Sequence, residues 1–354
     1  MSVNEPSISM DRLTEPELTI RSPGDRLRYS IVVPVYNEED NIVPLVTRVT
    51  AVMDKVGESF EILFVDDGSR DNTPLALRKV VKEHAHVRAV RFSRNYGQEQ
   101  AVQAAYKYAR GQHFIQMDGD LQNPPEDIPT LLAKSSEGWD IVFGIRKNRQ
   151  DPLFRRWASR AMRWFMQSML DIELPEDIST FRVMRGETAK LLADLPERKK
   201  FLSALACWIG ATYTTVDVGH AARAAGKTKY DFTKLLNHTF DLVVGFSSKP
   251  LRYIGIVGIL AALAGFVVAL RAVVYKLVWA TAVTGWTSLL ATVAFLGGVQ
   301  LVALSLIGEY IARIYVQAQN RPFFVVAELL EHGKPEGREP FRLHPPLPIL
   351  SEDP

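Results

Sequence analysis

FEILFVDDGSRDNT, residues 60–73, decides the fold. An unbroken apolar segment runs into two aspartates and a glycine, and Thr73-Pro74 then opens a helix. A short apolar run bounded by turn residues predicts a strand buried on both faces. Proline suits the first turn of the helix that follows. The same scheme stands on either side. YSIVVPVYNEEDNI, residues 29–42, is a β-branched run closed by a polar loop, and helical spacing follows in Ile42, Leu45, Val46 and Val49. Residues 86–111 give a third strand and helix, closed by Gly111, and HFIQMDGD, residues 113–120, carries a fourth strand. Repeated strand, loop and helix predict an α/β protein with a doubly wound, mostly parallel sheet. Such sheets bind ligands beyond the carboxyl ends of their strands. Asn37, Glu38, Asp66, Asp67, Asp118 and Asp120 all fall there. No Gly-x-Gly-x-x-Gly or Walker loop occurs, which argues against a dinucleotide or P-loop fold.

MDGDLQNPPED, residues 117–127, raises the question of chemistry. Residues i and i+2 of a strand share a face, so Asp118 and Asp120 are expected side by side. Like charges so placed repel unless a cation joins them. Paired carboxylates at strand ends suit Mg²⁺ or Mn²⁺, which take one or two carboxylates together with substrate phosphates. Gly119 is expected to leave room for a ligand at the backbone. An isolated Asp-x-Asp serves equally well as a helix cap; the other strand-end acids favour the metal site.

The chain has 354 residues, 42 basic and 40 acidic, for a net charge of +2, so no global field points to nucleic acid. Its single cysteine, Cys207, excludes an intramolecular disulfide and fits a reducing compartment. Residues 1–28 are polar and are expected to be disordered, with no basic-then-apolar signal. Residues 29–230 read as the soluble domain, and composition changes at Leu251. IGIVGILAALAGFVVAL (254–270) and WTSLLATVAFLGGVQLVALSLI (286–307) carry no charge. Both approach the roughly 20 residues that cross a bilayer. Transmembrane helices are therefore expected at 251–275 and 286–311, framed by Arg252, Tyr253, Trp286 and Tyr310. Lys249 and Arg252 before them, and Arg313 and Arg321 after, oppose Arg271 and Lys276 in the loop. That modest bias places both termini and the soluble domain in the cytoplasm, at a multi-pass inner-membrane protein. Residues 312–354 read as a cytoplasmic tail, unstructured beyond Gly333. The glycines of GIVGILAALAG permit close helix packing, and a homo-oligomer is expected. Upstream, residues 153–170 alternate Phe154, Trp157, Met162 and Phe165 with Arg155, Arg156, Arg160 and Arg163, the pattern of an interfacial amphipathic helix. A second stripe, from Phe232 to Val243, marks an interfacial helix over 231–250.

VVPVYNEEDNI, FVDDGSRDNT, NYGQ and MDGDLQNPPE together resemble glycosyltransferase family 2. FGIRKNRQDPLFRRWASR, AGKTKYDFTKLL and GEYIARIY extend the likeness to the membrane-anchored polyisoprenyl-phosphate glycosyltransferases, from about Tyr29 to Pro322. The resemblance is nearest to the undecaprenyl-phosphate glucosyl- and aminoarabinose-transferase branch. It implies a GT-A type fold, a nucleotide-sugar donor with UDP favoured over GDP, a polyisoprenyl phosphate acceptor and transfer with inversion. It also implies residue roles. Pro34, Tyr36, Asn37, Glu38 and Gly97 would contact the donor, with Asp66 or Asp67 on the base. Asp118, Asp120 and Gln122 would form the metal set, and Arg146 would act with the two aspartates in catalysis. Arg155 or Arg156, Arg223 and Lys229 would hold the acceptor phosphate. One departure stands out: in DISTFRVM, Thr180 occupies the place before Phe-Arg where many relatives carry an acid.

A lipid monophosphate has a second pKa near 6 and is mostly dianionic at neutral pH, so no strong base is needed. The site must instead bring two anionic phosphorus groups together and stabilise the departing diphosphate. Two other readings compete. A processive polysaccharide synthase would need more spans and a Gln-x-x-Arg-Trp motif, both absent. A non-catalytic scaffold would have no use for the Asp118, Asp120 and Gln122 set.

Overall fold

The computed structural model describes residues 27–146, 178–195, 202–219, 249–279, 285–319 and 321–334. Among them, eight strands form one sheet in the order β7-β5-β6-β4-β1-β2-β3-β8. The strands are β1 (Tyr29–Val35), β2 (Phe60–Asp66), β3 (Val87–Phe92), β4 (His113–Gln116), β5 (Ile141–Arg146), β6 (Ile178–Arg185), β7 (Tyr213–Val218) and β8 (Val326–Glu331). β1 pairs in parallel with β2 and β4, and β2 with β3. β6 runs antiparallel between β4 and β5, and β8 runs antiparallel along β3. The sheet is thus mostly parallel and of the α/β class.

Helices cover both faces. On one side α1 (Ile42–Val56), α2 (Thr73–Glu83) and α4 (Ile128–Ser135) pack on Ile31, Val33, Ile62 and Phe64. On the other, α3 (Gln98–Tyr108), α5 (Gly186–Asp194) and α6 (Leu202–Trp208) pack on Val32, Leu63, Val65 and Val90. Successive strand residues feed opposite cores, which is why β1 and β2 read as unbroken apolar runs.

Pro34 sits near the end of a central strand, where a missing N–H normally costs a ladder bond. The β1–β4 ladder has already ended at Val32 and Gln116, and that residue's backbone faces the β4 side. The proline therefore stands past the last ladder bond to β4, where no strand N–H is required.

β8 corrects the reading of residues 312–354 as a tail. Val326–Glu331 returns to the sheet and closes its β3 edge. The sheet domain is consequently discontinuous in sequence. Between its parts lie α7 (Lys249–Trp279) and α8 (Trp286–Ala318), which pack on each other. Large side chains along both are open, Leu260 at 61%, Phe266 at 66%, Phe295 at 66% and Leu301 at 70% exposure, a surface that demands an apolar covering. Among the described residues one segment, Phe295–Ala318, is long and apolar enough to cross a membrane, with mean hydropathy 1.6. Leu251–Val267 is a shorter apolar stretch. The segment 1–26, the amphipathic stretch 153–170, the interfacial stretch 231–248 and residues beyond 334 lie outside the described residues.

Candidate active site

The chain winds outward from β1 in both directions, so β1 and β4 form the switch point at which α/β sheets open a crevice. A cleft of about 550 Å³ lies there. Pro34, Tyr36 and Glu38 line it from the end of β1 and the loop that follows, Asp67 from just after β2, Gly97 and Gln98 from the start of α3, and Asp118, Asp120 and Gln122 from the loop after β4.

Asp118 and Asp120 reach the cleft differently from the strand reading. β4 ends at Gln116, so both acids belong to the following turn rather than to one face of a strand. Asp120 accepts the backbone N–H of Gln122 at 3.1 Å, and Leu121 between them has φ +59°. Gly119 also has another cause than the one expected. A Cβ there would lie 2.7 Å from Val35 Cγ1, so the glycine lets the turn press against β1.

Among the described residues, three side-chain donors meet Asp118. Gln98 Nε2 donates to Oδ1 at 3.1 Å; Thr180 Oγ1 donates to Oδ2 at 2.5 Å and Asn123 Nδ2 to the same oxygen at 3.4 Å. Thr180 arrives because β6 runs antiparallel to β4, pairing Arg182 with Gln116 and carrying the residues before it alongside the Asp118 turn. Neither contact can be assigned from sequence: that of Thr180 joins residues 62 apart through the β4–β6 pairing, and that of Gln98 joins the start of α3 to the turn after β4. Behind the turn, Gln116 Oε1 accepts from Tyr106 Oη at 2.5 Å and Arg182 Nε at 2.9 Å, and Arg182 Nη1 donates to Ser203 Oγ at 2.8 Å. This buried network fixes the end of β4.

The two acids at the end of β2 divide their work. Asp67 lines the cleft and accepts the backbone N–H groups of Tyr96 and Gly97 at 2.7 and 2.8 Å. Burial pushes its pKa up, and those two N–H groups pull against the rise. Asp66 points elsewhere: it is fully buried, accepts from Ser69 N at 2.8 Å and pairs with Arg91 Nε at 3.3 Å. Burial raises its pKa as well, opposed by Ser69 and Arg91. Asn37 does not line the cleft. Its φ is +56°, its N–H donates to Ser69 Oγ and its Oδ1 accepts from Arg70 N, so it ties the β1 loop to the β2 loop.

β5 ends with Arg146 at the same edge as β4, because β6 is antiparallel to both. Arg155, Arg156, Arg223 and Lys229 lie outside the described residues. Among the described residues no three His, Cys, Asp or Glu side chains converge as a metal cage. Two carboxylates on one turn nevertheless fit a hard divalent cation whose remaining ligands are substrate oxygens and water.

Residues 30–190 match the model of glycosyl transferase family 2. The chain is 37% identical over 301 residues to the uncharacterized glycosyltransferase YkcC of Bacillus subtilis (strain 168), across 85% of this chain and 93% of that protein. It is 36% identical over 309 residues to the undecaprenyl-phosphate 4-deoxy-4-formamido-L-arabinose transferase of Enterobacter sp. (strain 638), across 86% of this chain and 94% of that protein. Among solved structures, the glucosyl-3-phosphoglycerate synthase of Mycobacterium tuberculosis with Mn²⁺, UDP and glucosyl-3-phosphoglycerate aligns at 16% identity and TM-score 0.44, over 63% of this chain and 79% of that one. The chain therefore belongs to glycosyltransferase family 2, as a glycosyltransferase with a GT-A fold.

Proposed function

We propose that the protein transfers a sugar from a nucleotide-sugar, with UDP as carrier, to a polyisoprenyl phosphate of the undecaprenyl type at the cytoplasmic face of a membrane. The observation that carries this reading is the gathering of Asp67, Asp118 and Asp120 into one cleft at the β1–β4 switch point. The name of the Enterobacter relative, nearly full-length in its match, supports the acceptor class.

In this reading Pro34, Tyr36, Glu38 and Gly97 flank the nucleotide, and Asp67 meets the base. Asp118 and Asp120, with Gln122 beside them, would hold Mg²⁺ or Mn²⁺, whose charge when bound offsets that of the diphosphate. Thr180, Gln98 and Asn123 fix the Asp118 carboxylate. A phosphate oxygen of the acceptor forms the bond to the anomeric carbon as the bond to the diphosphate oxygen breaks, with inversion. The bonding pair leaves with the nucleoside diphosphate. The acceptor is already mostly dianionic, so no proton is removed and no base is assigned. Arg146, Arg155 or Arg156, Arg223 and Lys229 supply the cationic contacts that hold two anions together. α7 and α8 cross the bilayer, with both termini cytoplasmic.

Asp118→Asn and Asp120→Asn test the assignment. Each should abolish transfer and the Mn²⁺-dependent part of UDP binding by calorimetry, while the protein stays folded and membrane-bound. Wild-type transfer in either variant overturns the metal assignment.

A further inference from the structure

Asp67 owes its place to the loop after β3, and that loop owes its place to the segment after α8. Gly68 has φ +69°, and the Arg94 backbone passes 2.4 Å from where a Cβ would stand, so the β2 and β3 loops are in direct contact. On its far side the β3 loop meets the returning chain. Ser93 N–H donates to Val325 C=O at 3.0 Å. Phe324, only 2% exposed, stacks on Phe92 with ring centroids 4.9 Å apart and planes 14° from parallel. Phe92 in turn meets Tyr96 edge-on at 5.7 Å, and the Tyr96 N–H is one of the two that hold Asp67. A second line runs through charge. Glu328 pairs with Arg78 at 2.9 Å and lies 3.9 Å from Arg91, which pairs with Asp66 at 3.3 Å.

We infer that the segment Arg321–Glu331 is a positioning element for the cleft, with Phe324 and Glu328 as the residues that act through the β3 loop and the Asp66–Asp67 pair. The juxtaposition has a mechanical consequence. α8 ends at Ala318 and β8 begins at Val326, so the linking chain spans on the order of 25 Å at most. The wall of the cleft that carries Asp67 is thereby tethered, through a buried stack, to the end of a long apolar helix. Displacement of α8 would be felt first at Tyr96 and Gly97 and would pass to the Asp118 turn through Gln98, while β4 and Thr180 of β6 hold that turn from the other side.

The inference rests on the proposed donor site for its functional part, and amide hydrogen exchange keeps the two separable. In the full-length protein in detergent, Phe324→Ala should speed exchange of the 93–97 amides about tenfold or more, with β1 and β2 unchanged. Donor KM should rise about fivefold or more, with kcat at saturating donor and KM for the lipid within about twofold. Phe324→Leu, which keeps apolar bulk, should restore most of both. Should Phe324→Ala not fold, Glu328→Gln decides the matter on the same readouts. Unchanged exchange at 93–97, or acceleration spread evenly over the sheet, overturns the coupling. Coupled exchange in a wild type that turns over no nucleotide-sugar would retain the coupling and remove the donor reading.

Discussion

Thr180 is a polar side chain whose importance comes from where β6 delivers it. Its hydroxyl donates to Asp118 Oδ2, alongside Gln98 and Asn123. A hydrogen bond to a charged group contributes about 1.5–3 kcal/mol, so Thr180→Val should lower kcat/KM by about tenfold or more and weaken the Mn²⁺ dependence of UDP binding. Thr180→Ser keeps the hydroxyl and should stay close to wild type. Steady-state kinetics with a Mn²⁺ titration reads both, and a valine variant equal to wild type would leave Thr180 a packing residue. Single residues were legible in sequence where local chemistry marked them. Asp118, Asp120 and the undivided pair Asp66 and Asp67 announce themselves as acids ending apolar runs. Thr180 does not, because only the antiparallel pairing with β4 gives it meaning. Asp66 shows the converse, with the same composition as Asp67 but its carboxylate turned inward to Ser69 and Arg91.

Among the elements, β8 was the least legible. Its buried positions are Val326, Glu328 and Leu330, and a register shift divides them: Val326 packs in the core of Phe92, Leu330 in the opposite core with Ala89, and Glu328 is buried between them. Arg78 and Arg91 neutralise it, and a pattern search that expects apolar residues there fails. β1 to β4 were legible because each feeds apolar residues to two cores. The far end of β8 is held by Glu331, which pairs with Arg88 at 2.9 Å, Arg110 at 2.6 Å and Lys334. Burial pushes the Glu331 pKa up, but Lys334, Arg88 and Arg110 outweigh it, and the net shift is below the ordinary glutamate value of 4.5. A depressed acid stabilises the fold above its unfolded value and loses that contribution as pH falls through the folded one. Glu331→Gln should therefore cost about 1–3 kcal/mol at neutral pH. The gap to wild type should hold down to about pH 4.5 and close below it. Thermal unfolding of both proteins across pH measures this; a gap that widens on acidification would contradict the pairing.

For the whole molecule, the sheet is interrupted by α7 and α8 and completed by the chain that follows them. The composition shift at Leu251 made the interruption visible, whereas the return to the sheet left no compositional trace. If both helices cross the bilayer, a reporter fused after Pro354 should read as cytoplasmic and one inserted between Lys276 and Trp286 as external. A cytoplasmic loop reporter would remove the two-span topology. The most direct measurement of the central claim is product identity. Detergent-solubilised protein is incubated with undecaprenyl phosphate, Mg²⁺ or Mn²⁺ and a panel of nucleotide-sugars, and the lipid fraction is analysed by mass spectrometry. The expected result is one sugar added to the lipid monophosphate, with release of an equimolar nucleoside diphosphate and no product when the metal is chelated. Sugar transferred to an acceptor other than the lipid phosphate, a growing polysaccharide, or no glycolipid with any donor would contradict it.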